Sequence, residues 1–210
     1  MRTPKPTTII VTALLAGAGT AVVAAPSSGA VAPAMCRGHA ATIVGTPGPD
    51  VINGTNGRDI IAARGGDDIV RARGGRDLVC GGRGDDVIRG GNQRDRLHGN
   101  TGSDTLAGND AHDFLNGGAA TDVLLGQAGG DRIVGRAAAD VVRGGSGFDW
   151  LFGNSGRDLV VGNTGADHLF GGLNADRLNS RDNAPNDVSR GGAGADTCLS
   201  DPGDSVFSCN

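Results

Sequence analysis

Glutamate and tyrosine are absent from this 210-residue chain, lysine occurs once, at Lys5, and five phenylalanines and one tryptophan are its only other aromatics. With 3% aromatic residues and 39 glycines, the chain lacks the bulky apolar volume that fills an ordinary globular core. All 23 acidic residues are aspartate. A merely soluble acidic surface would draw on both acids, so exclusive use of the shorter one points to a geometric need. The net charge of −4 and the missing lysines argue against a nucleic-acid partner. His39, His98, His112 and His168 fall at no spacing that builds a transition-metal site. No glycine-flanked nucleophile stands at a strand–helix turn, and no segment reads as a helix to carry one. No catalytic residue is therefore assigned, and the chain is expected not to be an enzyme.

Long apolar runs are missing too, with one exception. Ile9 to Ala25 is nearly unbroken and follows the positive Arg2 and Lys5, the layout of a secretory signal spanning residues 1–34. At about 17 residues of mostly Ala, Val, Thr and Gly it is a poor membrane anchor, so export by the general secretory route to an extracellular location is expected, with no membrane span afterwards. Four cysteines in an exported chain read as two disulfides. Of the three possible pairings, Cys36–Cys80 with Cys198–Cys209 is favoured, because each bond then staples an end segment to the body.

What the chain has in abundance is a period. From Gly45 to Asn179 it divides into fifteen consecutive blocks of nine. The sixth position is aspartate in every block: Asp50, Asp59, Asp68, Asp77, Asp86, Asp95, Asp104, Asp113, Asp122, Asp131, Asp140, Asp149, Asp158, Asp167 and Asp176. Two residues later an aliphatic side chain always follows, from Ile52 to Leu178. Thirteen blocks open with glycine, Ala63 and Ala72 being the exceptions, and ten carry glycine at position four. A fixed short period means a stacked, quasi-one-dimensional fold whose units cannot stand alone. Positions one to five read as a turn and six to nine as a short strand, two blocks per coil, so that strands of alternate blocks pair in parallel about 4.8 Å apart. The organisation expected is a signal (1–34), an N-terminal cap (35–44), the repeat array (45–179) and a degenerate, capped exit (180–210).

Stacking sets same-side aspartates one coil apart. Two bare carboxylates at ~5 Å repel by about 0.8 kcal/mol in water and about 3 kcal/mol at an effective dielectric near 20, which opposes folding unless a cation intervenes. Oxygen ligands alone, with no Cys or His in phase, describe a site for a hard cation, and calcium accepts six to eight oxygens in flexible geometry. The block Gly-Gly-x-Gly-x-Asp-x-aliphatic-x, met at every fixed position by Gly81–Arg89 and Gly144–Phe152, resembles the RTX, or haemolysin-type, calcium-binding nonapeptide. The resemblance implies an all-β, right-handed parallel β-roll that holds several Ca²⁺ ions between adjacent turns, in sites built from Asp carboxylates and turn carbonyls. Carried over by position, the metal-site residues expected are Asp50, Asp59, Asp68, Asp77, Asp86, Asp104, Asp131, Asp149, Asp158 and Asp167, with Gly66, Gly84 and Gly147 among the turn residues that join them at the ion. Glycine is lost from position four at Gln93, Ala111, Ala120, Ala138 and Asn174, so weaker binding is expected around Asp95, Asp113, Asp122 and Asp140. The competing reading of an edge is an Asp–Arg pair that binds no ion.

Outward positions of the even-numbered blocks place Trp150 beside Phe152 and His168 beside Phe170 on the next strand. Such an exposed aromatic group marks a candidate ligand or partner surface, for a cell-surface polysaccharide or for self-association. An adhesion or carbohydrate-binding module with calcium only structural is thus the second reading.

Overall fold

A computed structural model describes residues 34–210 and the backbone of Thr7–Ile9. The expected signal segment otherwise lies outside the described residues. The described chain is a parallel β-solenoid of about 9 turns without a helix. Two ten-stranded sheets face each other, with odd and even blocks contributing alternately to each. The first sheet runs from Asp50–Asn53 through Val87–Asn92 and Val141–Ser146 to Thr197–Leu199, with Thr7–Ile9 outermost beside Asp50–Asn53. The second runs from Ile43–Val44 through Leu78–Arg83, Arg96–Thr101 and Trp150–Ser155 to Ser205–Phe207.

Register follows the period. Arg96, Leu97 and His98 lie beside Leu78, Val79 and Cys80 on one side and beside Phe114, Leu115 and Asn116 on the other, always 18 residues apart. The position-eight residues form the core as one file from each sheet, Ile52, Val70 and Ile88 facing Ile61, Val79 and Leu97, all fully buried. The core is a single side chain deep, which explains why so few aromatics suffice.

The strand phase differs from the sequence reading. Each full strand covers six residues, from position seven through position three of the next block, as in Val87–Asn92, and the turn shrinks to positions four to six. The opening glycine is thus a strand residue. It is small because the strand packs its own aspartate there: a Cβ on Gly81 would run into the Asp86 carboxylate. Position two bends the strand with φ of +81° at Arg73 and Asn100 and +126° at Gly82.

The ends are capped. Met35–Cys36 and His39–Ala40 form a small antiparallel hairpin that packs on Ile60–Gly65 and Leu78–Arg83 of the second sheet. Its Cys36 is bonded to Cys80, and at the far end Cys198 is bonded to Cys209. Both pairings agree with the arrangement favoured from the sequence.

Candidate metal centre

Every position-six aspartate of the array is buried, none more than 5% exposed. The two oxygens of each carboxylate have different fates. Oδ1 accepts the backbone N–H of the aspartate one coil earlier: Asp50 donates to Asp68 at 2.8 Å, Asp68 to Asp86 at 2.9 Å, Asp86 to Asp104 at 2.8 Å and Asp149 to Asp167 at 2.9 Å. The same backbone unit is tied on its other side, since the Asp68 carbonyl accepts the N–H of Val87 at 2.8 Å. This ladder needs a side chain with one methylene, which is the geometric reason for aspartate in place of glutamate.

Oδ2 has no partner. From Asp68 to Asp176 this oxygen is buried and makes no hydrogen bond in any row aspartate, and the same holds at Asp187 and Asp196. No arginine reaches these oxygens, so the Asp–Arg alternative does not describe the rows. A buried ionised oxygen without a partner is costly, and the titration of the group reflects it. Burial first, and the neighbouring carboxylates of the row, push the carboxyls up against the opposing pull of the backbone hydrogen bond. Asp68 and Asp104 rise to about 7 and Asp86 to about 8. Asp131 and Asp149 rise to about 6, where His112 pulls the other way.

The turns bring backbone oxygens to the same edges. Position four has a positive φ at Gly66, Gly84 and Gly147, +98°, +111° and +127°. A Cβ on Gly84 would strike the carbonyl of Gly66, and one on Gly147 that of Gly129. The turns are stacked so closely that the carbonyl of one coil lies against the α-carbon of the next. At Gly84 the carboxylate of Asp67 is close as well, and Asp67 Oδ1 accepts the N–H of Asp85 at 2.9 Å. Among the described residues no three His, Cys, Asp or Glu side chains converge on one point. Each edge thus offers few carboxylate oxygens and many carbonyls, a donor set that suits a hard cation and not zinc.

The expected ligands Asp50, Asp59, Asp68, Asp77, Asp86, Asp104, Asp131, Asp149, Asp158 and Asp167 all stand in these two rows. So do Asp95, Asp113, Asp122 and Asp140, with the same backbone donor and the same unpartnered Oδ2. The lost glycines shift the turn's φ to lower positive values than at Gly66, Gly84 and Gly147 but keep it left-handed. Gln93, Ala111, Ala120 and Ala138 hold φ of +74°, +85°, +72° and +78°, the left-handed region in which neighbouring blocks place glycine. The substitutions are absorbed as local strain.

Past Asn179 the rows continue. Asp167 and Asp176 donate to Asp187 and Asp196 across 20 residues instead of 18, so the two-residue insertion bulges out without breaking the ladder. Asp204 extends it further by accepting the Asp187 N–H at 3.2 Å. Sequence reasoning passed over Asp204, which lies outside the nine-residue phase. Its only signal was an aspartate followed two residues later by Val206.

The four aromatic candidates come together on the outer face of the second sheet. Trp150 stacks on His168 at 4.4 Å between centroids, and Phe152 on Phe170 at 4.8 Å. Trp150 remains 38% exposed. Phe148 joins them edge-on, 6.0 Å from Trp150, and Arg132 lies over Phe152 at 4.7 Å.

A solenoid whose two edges carry rows of half-satisfied aspartates over stacked turn carbonyls is a repeat fold with the donor set of a hard-cation binder. Residues 44–182 match the RTX calcium-binding nonapeptide repeat in six spans (44–79, 74–106, 89–124, 98–133, 116–151 and 152–182), and the chain belongs to that family. Among curated proteins no relative matches it.

Proposed function

We propose that this protein is an exported, non-catalytic calcium-binding module whose folding is coupled to the ion. The observation that carries the reading is the row of buried, unpartnered Oδ2 atoms. In the metal-free chain these oxygens must be protonated or left unsolvated, and either state opposes the closed roll at neutral pH. A divalent cation between coils supplies the missing partner and cancels the repulsion along the row. The sequence-derived set, Asp50, Asp59, Asp68, Asp77, Asp86, Asp104, Asp131, Asp149, Asp158 and Asp167, would hold several ions together with turn carbonyls, including those at Gly66, Gly84 and Gly147.

An ion that binds only the folded state adds RT ln(1 + [L]/Kd) of stability, so occupancy along two rows accumulates into folding free energy. The N-terminal apolar run of residues 1–34 and the two disulfides support export. No helix of the described residues is long and apolar enough to cross a membrane. The test is isothermal calorimetry of the chelator-treated chain with calcium. Binding of several ions per chain is the expected outcome, and an absence of heat at millimolar calcium would remove the reading.

A further inference from the structure

The outer faces of the two sheets differ in kind. None of the strands of the second sheet contains a carboxylate. It nevertheless carries Phe114, Trp150, Phe152, Phe170 and Phe207, every aromatic of the chain except Phe148, which stands two residues before Trp150. The strands of the first sheet carry no aromatic. In a chain of net charge −4, one face is therefore both aromatic and free of acid.

On that face a cleft of about 900 Å³ opens between the N-terminal hairpin and Trp150. Arg37 of the hairpin, Arg94 of a turn, and Arg96 and Arg132 of two strands converge on it, with Phe114 and Trp150 as ring walls. All four arginines are exposed. On consecutive strands Arg96, Phe114, Arg132 and Trp150 are direct register partners. Cation and ring thus alternate at one strand spacing, about 4.8 Å. His98, at the floor beside Phe114 (5.6 Å between centroids), is held neutral. Burial first, then Arg37, Arg136 and Arg96, push it down to about 4.

We propose that this cleft binds a short segment of an acidic polysaccharide, its sugar rings on Phe114 and Trp150 and its anionic groups on Arg94, Arg96 and Arg37. A pyranose presents flat C–H faces that pack on an aromatic ring, and a guanidinium grips a carboxylate or sulfate with paired N–H donors. An extended glycan advances by roughly one strand spacing per sugar, so the alternation suits a chain lying along the rod. A nucleic acid fits less well. The free arginines cluster at one overhung cleft instead of running as a track. One face of Trp150 is already taken by His168.

The site borders one ion row at Asp113 and Asp131, and it rests on the proposed function for its folded scaffold. The test is calorimetric binding, by the full chain in calcium, of a galacturonate hexamer, a sulfated hexasaccharide, a neutral cellohexaose and a single-stranded oligonucleotide. At least one acidic sugar is expected to bind well above cellohexaose and the oligonucleotide. Trp150→Ala and Arg96→Gln should each weaken that binding by about tenfold or more, as for truncated anchors. Arg143→Gln, exposed on the first sheet, should leave it unchanged. Equal binding of cellohexaose, tighter binding of the oligonucleotide, no binding at all, or acidic-sugar binding indifferent to both cleft variants would each overturn the proposal. The last of these is what calcium bridging at the edges would give. Circular dichroism of the same samples reports the roll. A lost affinity with an unchanged spectrum therefore belongs to the cleft. A spectrum that ignores calcium counts against the calcium role and leaves the binding comparison readable.

Discussion

From Asp68 onward, each row aspartate combines two roles in one carboxylate. Oδ1 locks coil to coil through a backbone N–H, and Oδ2 waits for a cation or a proton. Asparagine separates the two. Asp86→Asn keeps an acceptor for the Asp68 N–H but replaces the second oxygen by a donor. It is expected to leave the metal-free spectrum unchanged while lowering calcium stoichiometry in calorimetry, whereas Asp86→Ala should lose both functions. A wild-type stoichiometry in Asp86→Asn would show that Oδ2 is no ligand. Protons compete for the same oxygen. Folded carboxyls stand at about 6 to about 8 against an ordinary 3.8, so the metal-free roll takes up protons as it forms. The stability this contributes is fully present below about pH 4 and is lost as pH rises through about 6 to 8. In chelator, β structure should therefore be greater at pH 5 than at pH 9 by circular dichroism, and calcium should abolish the difference. More structure at pH 9 would contradict the buried carboxyls.

At the level of the coil, the sequence disclosed the period, the aspartate row and the inward aliphatic file, because each recurs at one fixed position. It misplaced the strands. Glycine at positions one and two reads as turn, yet both lie in the strand, the first small to admit the Asp carboxylate and the second in the left-handed region. Position-four exceptions also proved less disruptive than their residue types suggest. Coil stacking imposes the turn, and Ala138 at φ +78° bears the strain. Ala138→Gly should relieve about 1 kcal/mol, raising the Tm in calcium, and a lowered Tm would show that the turn is relaxed as it stands. An N-terminal cap was expected, but its hairpin form and the continuation of the row to Asp204 were illegible, since neither follows the period. The cap depends on its covalent tie. Closing a loop of 44 residues confers about 4 kcal/mol in the chain-entropy account. A Cys36→Ser/Cys80→Ser chain should accordingly lose hydrogen-exchange protection first in the coils nearest the hairpin, not uniformly.

Across the whole molecule, side chains are sorted by position: the period's aspartates on the two edges, aromatics on one face, arginines on both faces, and aliphatic side chains in a core one residue deep. So thin a core buries little per coil, and the carboxylate rows oppose stacking, so a third contribution must close the roll. The sequence implied calcium through the resemblance and the carboxylate repulsion; the orphaned oxygens visible only in the folded chain add a second reason for the proposed coupling of ion and fold. The decisive measurement is far-ultraviolet circular dichroism of the full chain at neutral pH, titrated from chelator into millimolar calcium. A largely disordered spectrum that converts cooperatively to β structure is the predicted result. The same β spectrum in chelator and in calcium would contradict the account.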